Sequence, residues 1–406
     1  MRIILIYFCF LISSSYTIEI LLPNLHPMTD DIYKISLKNH KKYHGKLRME
    51  AIAHIDSRDD LSWAYSPGVA EPCREIAKDP AKMYDYTLKS RTIAVISDGS
   101  AILGLGNLGH KASMPVMEGK CVLFKEFAWV DAFPIIVGTQ DVDAFVETVK
   151  NIADGFGGIN LEDISAPRCF EIEERLKADL DIPVMHDDQH GTAIVVLAWL
   201  INALKVTGKK KEEIKVVLNG AGAAWVAISK LLYLYGIKNM IACDSKGIIH
   251  KEREHLDASK IKLLEFTNLE GRTGTLSEAV VWADVFIGVS VAGALTEVMV
   301  YTMASDAIIF AMANPVPEIM PEVAKKAGAK IIGTGRSDYP NQVNNVLAFP
   351  WIFKWVLKYG KKAITDEMKI KAAEALANYV KEVDADHILP DALDKWVADV
   401  VCEAMK

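Results

Sequence analysis

Two pairs of acidic residues stand between apolar segments in the middle of the chain. The first pair is Glu162 and Asp163, and the second is Asp187 and Asp188. Buried carboxylates are costly unless they are paired or bind a metal, so these pairs indicate a divalent cation. A site of oxygen ligands suits Mg²⁺ or Mn²⁺ rather than zinc. Alternatively, Asp187 or Asp188 caps a helix that begins near Gly191, although a cap does not account for four acids.

A glycine turn in the second half of the chain has the pattern of a dinucleotide-binding fold. The predicted elements are a strand over 215–218, a turn over 220–222, a helix over 226–235 and a strand over 240–243. Gly220 permits a tight turn, and Gly222 lets the backbone approach a pyrophosphate at the helix N-terminus. Asp244 follows the first glycine by 24 residues and can accept a hydrogen bond from a ribose hydroxyl.

One residue departs from that pattern. In the usual pattern a third glycine or alanine lets the helix lie close to the strand. This chain has Trp225 at that position. The ring must point away from the strand or push the helix outward, and an overpacked site costs about 1–3 kcal/mol. Cofactor affinity is therefore in question, but the fold is not. Further strand-like runs over 283–288, 307–312 and 330–334 support the fold.

A second glycine motif spans 104–109 and also matches G-x-G-x-x-G. Pro115 follows six residues later and the pattern shows no long amphipathic helix, so we predict a loop against the active site. Lys120 then precedes the apolar run 121–124, which we interpret as a buried strand. A lysine at that point either has a partner in a site or extends to the surface.

Composition limits the classes of protein to which the chain can belong. Its 406 residues suggest two or three domains, and 51% hydrophobic with 24% charged residues is ordinary for a globular protein. A net charge of −7 without a long basic run argues against nucleic-acid binding. Six cysteines without C-x-x-C spacing argue against a disulfide framework and a zinc site, and indicate a reducing compartment.

The first 27 residues differ from the rest of the chain. Arg2 and the apolar run 3–12 resemble the core of a signal peptide and are too short to span a bilayer. Either the segment is a targeting signal, or it is a spurious extension and the working chain starts at Met28. We favour the second interpretation because the cysteines look unpaired, and we expect a cytoplasmic protein without membrane association.

Taken together, the motifs resemble those of the malic enzymes, in the short form found in bacteria. The resemblance covers roughly residues 45–400 and rests on Tyr65–Ala70, 98–100, 104–109, 115–120, 162–163, 186–192, 220–224, 313–315 and 344–345. It implies a metal- and NAD(P)-dependent oxidative decarboxylation of malate to pyruvate and CO₂. Decarboxylation of oxaloacetate is implied as well, with Mg²⁺ or Mn²⁺ as the metal.

The resemblance also assigns roles to residues. Glu162, Asp163 and Asp188 match the metal ligands, Lys120 the general base and Tyr65 the general acid, while Asp187 would orient Lys120. The candidate cofactor-binding residues are Gly220, Gly222, Ala223, Ala224, Asp244, Gly288, Val289, Ser290 and Asn314. The candidate substrate-binding residues are Asn314, Asn344 and Asn345.

These assignments have chemical reasons and open alternatives. A cation on malate would favour the alkoxide, and Lys120 near that charge could be neutral enough to take the hydroxyl proton. Tyr65 would return a proton to C3 after CO₂ is lost. Its hydroxyl could instead be satisfied in the core beside Trp63, and the asparagines could simply cap or turn the chain.

We therefore predict an α/β protein of two domains. A helix-rich α/β substrate and metal domain spans 28–190, a doubly wound Rossmann-type NAD(P) domain spans 191–355, and C-terminal helices over 356–406 pack back on the first domain. The resemblance suggests a homodimer. Asp244 would repel a 2′-phosphate and so favours NAD over NADP, although nearby cations could receive that phosphate, namely Lys246, Lys251 and Arg253.

Two other functions compete with this prediction. An amino-acid dehydrogenase can have a similar two-domain layout, but it needs no metal and leaves the paired acids unexplained. A non-catalytic protein that binds a nucleotide or metabolite is the other alternative, and impaired cofactor binding at Trp225 would agree with it.

Overall fold

The computed structural model describes residues 30–220 and 222–405, so the predictions for residues 1–27 and for Ala221 lie outside the described residues. The chain divides into two compact units, Met1–Lys46 and Leu47–Lys406. In the first unit the described part is one helix, α1 (Asp30–Tyr43), which carries basic residues in its last turn. The second unit contains both sheets of the described chain.

The first half of this unit is built on a four-stranded parallel sheet of strand order β2-β1-β3-β4. Its strands are β1 (Thr92–Ser97), β2 (Asp131–Ile136), β3 (Gly158–Leu161) and β4 (Val184–His186). The helices are α2 (Arg58–Ala64), α3 (Ala70–Lys78), α4 (Met83–Tyr86), α5 (His110–Ala128), α6 (Val142–Ile152) and α7 (Arg168–Asp179). Because parallel strands end at one edge, the residues that follow β3 and β4 meet there.

Helix α8 (Asp187–Thr207) leaves β4 without a loop and runs through the core. It is the helix, among those described, that is long and apolar enough to cross a membrane, but 67% of its apolar window is buried inside the protein. A buried core helix passes the same test, so its length and composition are weak evidence for a membrane span.

The second half contains a six-stranded sheet of order β10-β9-β8-β5-β6-β7. Its strands are β5 (Val216–Gly220), β6 (Met240–Asp244), β7 (Gly247–Ile248), β8 (Val285–Val289), β9 (Ala307–Ala311) and β10 (Ala329–Thr334). All pairings are parallel except that of β6 with β7. Since β6 and β8 flank β5 on opposite sides, the order reverses at β5, as in a doubly wound fold. The strands predicted in this half of the chain and the fold class are confirmed.

Helices cover this sheet and close the chain. They are α9 (Ala223–Tyr235), α10 (Ala258–Leu263), α11 (Leu276–Ala279), α12 (Glu297–Tyr301), α13 (Pro321–Lys326), α14 (Phe349–Lys358), α15 (Asp366–Tyr379) and α16 (Val397–Ala404). Helix α15 packs along α8, and α14 packs against α5, where the rings of Phe349 and Phe124 are 4.8 Å apart. In the last fifty residues, Lys395 pairs with Glu126 of α5 at 2.9 Å.

The predictions around Lys120 were wrong about local structure. The second glycine motif is followed by α5, a helix of 19 residues that contains Pro115, and Lys120 lies on this helix rather than before a strand. The signal for a helix was present, because its buried residues recur three or four positions apart: Ser113, Met117, Cys121, Phe124 and Ala128. Pro115 does not end the helix.

Trp225 is part of the core. Its side chain is 1% exposed and belongs to the same hydrophobic cluster as the apolar face of α8. Gly222 precedes α9 as its N-cap, so the strand, turn and helix of the dinucleotide fold form with the ring in place. The bulk of Trp225 therefore does not prevent the local fold that a cofactor requires.

Candidate active site and metal centre

Three carboxylates converge at the edge where β3 and β4 end. One oxygen from each of Glu162, Asp163 and Asp188 lies within 4.8 Å of the others. Glu162 and Asp163 follow β3 directly, and Asp188 lies in the first turn of α8. Asp163 has a φ of 54°, and its backbone N–H donates to Asp188 Oδ2 at 2.9 Å. The strand ends and this left-handed residue thus bring together the three predicted metal ligands.

This cluster fits a hard divalent cation. Glu162 and Asp163 are each 3% exposed, and the buried Asp163 Oδ2 has no hydrogen-bond partner among the described residues. Burial, aided by Asp188, raises the pKa of Asp163 to about 7. Burial also raises the pKa of Glu162 well above its usual range, and Asp188 adds to that effect. Such mutually repelling oxygen donors are the set that Mg²⁺ or Mn²⁺ prefers.

Lys120 faces the same cluster from α5. Its Nζ lies 3.0 Å from Glu162 Oε1, donates to Asp187 Oδ2 and stands 4.4 Å from the centre of the Phe349 ring. Burial alone would lower the pKa of Lys120, but Asp187 and Glu162 outweigh it, so the pKa lies above its ordinary value. Lys120 is therefore an ammonium in this arrangement, and the surface alternative for this residue is wrong.

Asp187 is completely buried and is held from two sides. Besides Lys120, its Oδ2 accepts from Asn345 Nδ2 at 3.3 Å, and Asn345 Oδ1 accepts from Thr192 Oγ1 at 3.1 Å. A Cβ at Gly191 would stand 1.9 Å from Asp187 Oδ1, so the helix needs glycine there. The structure brings Asp187, Lys120 and Asn345 together.

The capping alternative for the second acidic pair is wrong. Helix α8 begins at Asp187, not near Gly191, and His186 occupies the N-cap without a side-chain capping bond. Asp187 and Asp188 are thus residues of the first helical turn, where the partial positive charge of the helix N-terminus stabilises carboxylates.

The structure does not bring Tyr65 to the acidic cluster. Tyr65 ends α2 with its side chain 70% exposed, and neighbouring Trp63 is also exposed. A side chain this exposed is not in the core, so the alternative of a hydroxyl satisfied in the core is wrong. Its role as general acid stays a prediction.

The other two asparagines lie in different settings. Asn344 Oδ1 accepts the backbone N–H of Val346 at 3.0 Å and so caps a short 3₁₀ turn, as one alternative proposed. Asn314 is exposed and follows strand β9. Neither residue contacts the acidic cluster through a described hydrogen bond, so their roles toward substrate stay predictions.

The glycine turn presents backbone to a cofactor at the carboxyl end of β5. Gly220 has a φ of 150°, and a Cβ there would stand 2.5 Å from the carbonyl oxygen of Val289. Asn219 Nδ2 donates to Ser290 Oγ at 3.0 Å across the same edge. The carboxyl ends of β5 and β8 thus lie side by side at the edge where doubly wound domains bind dinucleotides.

Sequence reasoning missed the buried carboxylate that holds the loops after β8 and β9. Glu318 is fully buried and accepts the backbone N–H of Ser290 at 2.7 Å and that of Ala313 at 3.0 Å. It also missed Asn160, which donates to Glu162 Oε2 at 3.1 Å. Neither residue stands in a motif, and only the fold brings it to its partners.

Asp244 does not stand free at the end of β6. Arg253 contacts both of its carboxylate oxygens at 2.7 Å, and Lys260 lies 3.2 Å from Oδ2. The backbone N–H of Lys246 also donates to Oδ1. Two cations therefore compensate the charge of this carboxylate. A compensated Asp244 repels a 2′-phosphate less, so its charge no longer favours NAD over NADP.

The fold and the site together define a class. One compact unit contains a doubly wound domain of dinucleotide-binding geometry and a buried cluster of carboxylates with a lysine. These features together are typical of a nicotinamide-dependent oxidoreductase.

Comparison with known proteins identifies the family. The family model for "Malic enzyme, N-terminal domain" matches residues 44–177, and that for "Malic enzyme, NAD binding domain" matches residues 189–403. The chain belongs to the malic enzyme family. Since both halves match malic enzymes, neither the amino-acid dehydrogenase nor the non-catalytic alternative is favoured.

Individual relatives agree over nearly the whole chain. The bifunctional malic/malolactic enzyme of Bacillus subtilis is 57% identical, over 91% of this chain and 91% of its own length. The NAD-dependent malic enzyme of Geobacillus stearothermophilus is 52% identical, over 89% of this chain and 76% of its own length. The crystal structure of a malic enzyme from Pyrococcus horikoshii superposes with a TM-score of 0.89 at 48% identity, over 92% of this chain and 89% of that one.

Proposed function

We propose that the protein catalyses the oxidative decarboxylation of (S)-malate to pyruvate and CO₂ with reduction of NAD(P)⁺, and that it also decarboxylates oxaloacetate. The observation that carries this proposal is the placement of Lys120 between Glu162 and Asp187, beside the three carboxylates at the sheet edge. A base and a cation site are then adjacent, which oxidation of a 2-hydroxy acid requires.

Glu162, Asp163 and Asp188 would hold the cation. When bound, Mg²⁺ or Mn²⁺ supplies Lewis-acid stabilisation of negative charge on the oxygens of malate. With their charges offset by a bound cation, these carboxylates would hold the proton of Lys120 less strongly, and the pKa of the lysine would fall toward the range of a general base. The chain's acids thus have two uses, as ligands and as a control on Lys120.

Lys120 takes the proton of the substrate 2-hydroxyl at its Nζ. Asp187 and Asn345 fix that nitrogen, Asp187 by accepting its hydrogen bond and Asn345 by donating to Asp187. The crevice beside Gly220 would hold the nicotinamide, which would supply the acceptor for the hydride of C2. After CO₂ leaves, C3 requires a proton, and Tyr65 is the proposed donor.

A homodimer is part of the proposal. Large apolar side chains stand exposed on α2 and on the segment that leads into it, and a second copy would cover them: Leu47, Met49, Ile52, Ile55, Leu61 and Trp63. Exposed apolar groups of this density mark interaction surfaces. Tyr65 lies in the same segment, so the dimer would also change its surroundings. A monomer in size-exclusion chromatography with light scattering would contradict this part.

Cofactor preference and location are also proposed. We keep NAD as the preferred cofactor and NADP as the alternative, although the ion pair of Asp244 with Arg253 weakens the reason for that choice. A cytoplasmic location is supported by the cysteines that the structure describes, which are free thiols: Cys73, Cys121, Cys169, Cys243 and Cys402.

The test is the absorbance at 340 nm of the full chain with malate, Mn²⁺ and either NAD⁺ or NADP⁺. We expect a metal-dependent increase that EDTA abolishes, with one pyruvate formed for each reduced nucleotide. A folded protein that reduces neither nucleotide would overturn the proposed function. Reduced nucleotide without pyruvate would overturn the decarboxylation.

A further inference from the structure

Glu173 is a buried carboxylate that the proposed reaction does not use. It lies on α7 and is 6% exposed. Its Oε1 accepts the backbone N–H of His186 at 2.8 Å and contacts Lys177 Nζ at 2.7 Å, while its Oε2 lies 2.9 Å from His190 Nε2. Both oxygens are therefore engaged, and two of the three partners belong to the start of α8.

These partners stand on either side of the acidic pair. His186 is the last residue of β4 and the N-cap of α8, and His190 is one helical turn further on. Asp187 and Asp188 lie between them. The first backbone N–H groups of a helix have no partner within it, so a carboxylate that accepts one of them fixes where the helix begins.

A chain of polar contacts orients His190 toward Glu173. Lys369 Nζ, on α15, lies 3.0 Å from His190 Nδ1, and an ammonium can only donate there. The ring proton is therefore on Nε2, where it points at Glu173. Lys369 is in turn held by Asp366 at 3.0 Å, and Asp366 by Lys230 of α9 at 2.6 Å. This chain of contacts thus links Glu173, through His190, to the C-terminal helix α15 and to α9 beside the second sheet.

We infer that Glu173 is a positioning residue for the metal centre, because it fixes the first turn of α8 and thereby holds Asp188 toward Glu162 and Asp163. The inference rests on the proposed metal site. Partners that orient metal ligands from outside typically contribute 10–100-fold in metal affinity or activity. A carboxylate that only stabilised the fold would leave the affinity of the folded protein for metal unchanged.

Two variants separate the contacts that Glu173 makes. Glu173→Ala removes all of them. Glu173→Gln keeps an oxygen for the N–H of His186 but turns an amide N–H₂ toward His190 Nε2–H, and the His190 tautomer cannot adapt because Lys369 occupies Nδ1. Glu174→Gln is the matched control, since Glu174 is exposed on the same helix. It removes one carboxylate charge without touching α8.

The experiment measures Mn²⁺ binding to the full chain by electron paramagnetic resonance of free Mn²⁺, without malate or nucleotide. We expect Kd to rise about 10–100-fold in Glu173→Ala and by a smaller factor in Glu173→Gln, with Glu174→Gln like wild type. At saturating Mn²⁺, kcat should recover in Glu173→Gln while the Mn²⁺ concentration for half-maximal activity stays raised.

Unchanged Mn²⁺ affinity in folded Glu173→Ala would overturn the inference and leave the metal site standing. If Glu173→Ala does not fold, Glu173→Gln decides in the same way, because its unchanged affinity would also overturn the inference. No Mn²⁺ binding by the wild type would overturn the proposed metal site itself. Circular dichroism of each metal-free variant establishes that it is folded.

Discussion

The substitution Gly191→Ala tests the geometry of the site with a single carbon atom. A Cβ at this position would stand 1.9 Å from Asp187 Oδ1 and 2.9 Å from its carboxyl carbon, far inside van der Waals contact. Asp187 is fully buried and cannot swing into solvent. Its carboxylate must therefore move toward Lys120 and Asn345, or the first turn of α8 must shift.

Both responses disturb the reacting groups. Overpacking of this kind costs about 1–3 kcal/mol of stability. A displacement of about 1 Å at a catalytic group can reduce turnover about 100-fold. We expect kcat/KM for malate to fall by about that factor, with the melting temperature only modestly lowered.

The assay is reduction of NAD(P)⁺ at 340 nm, accompanied by thermal unfolding. Gly155→Ala is the matched control, because a Cβ at Gly155 meets nothing within 4 Å. It should leave kcat/KM unchanged. If Gly191→Ala retained wild-type kcat/KM while folded, Asp187 would not be held as the structure describes, and the account of how Lys120 is oriented would be refuted.

Two further predictions follow from the charges near each site. Arg253→Ala leaves Asp244 less compensated, so we expect the ratio of kcat/KM for NADP⁺ to that for NAD⁺ to fall about tenfold, which corresponds to about 1.4 kcal/mol of like-charge repulsion. The control is Lys238→Ala, since Lys238 is exposed and lies before the amino end of β6, away from Asp244. An unchanged ratio in Arg253→Ala would exclude Asp244 from cofactor discrimination. The second prediction concerns Asp163, whose pKa is about 7 in the folded protein and about 4 in an unfolded chain. Between these values the folded protein binds this proton more tightly than the unfolded chain does. The free energy of unfolding of the metal-free protein therefore falls as the pH rises from about 4 to 7. Mn²⁺ should therefore raise the melting temperature more at pH 7.5 than at pH 5, and an equal shift at both values would contradict the raised pKa.

Much of the site could be predicted from the sequence because its residues follow strand ends. Glu162 and Asp163 stand directly after β3, and Asp187 and Asp188 directly after β4. Parallel strands deliver such residues to one edge whatever the loops do. The glycine turn after β5 could also be predicted from the sequence, because the backbone of Gly220 approaches Val289 too closely for any side chain.

The rest depends on contacts between residues distant in sequence. Because a proline such as Pro115 usually interrupts a helix, α5 was not predicted, although the buried residues of α5 have helical spacing. Nothing in the local sequence indicates that Arg253 neutralises Asp244, or that Glu173 holds the backbone of His186. Such partners are chosen by packing, which a motif does not encode. Tyr65 shows the converse, since its motif fits the family while its side chain stands exposed.

The most direct test of the central claim is hydride transfer by Lys120→Ala, measured at 340 nm with malate, Mn²⁺ and NAD(P)⁺. Lys120 is the group that would take the proton from the substrate hydroxyl, and general bases contribute about 10²–10⁴-fold. We expect kcat to fall within that range while Mn²⁺ binding survives, since removing an ammonium beside Glu162 does not weaken a cation site. Exposed Lys111→Ala on the same helix is the control. A folded Lys120→Ala protein with wild-type turnover would contradict the mechanism.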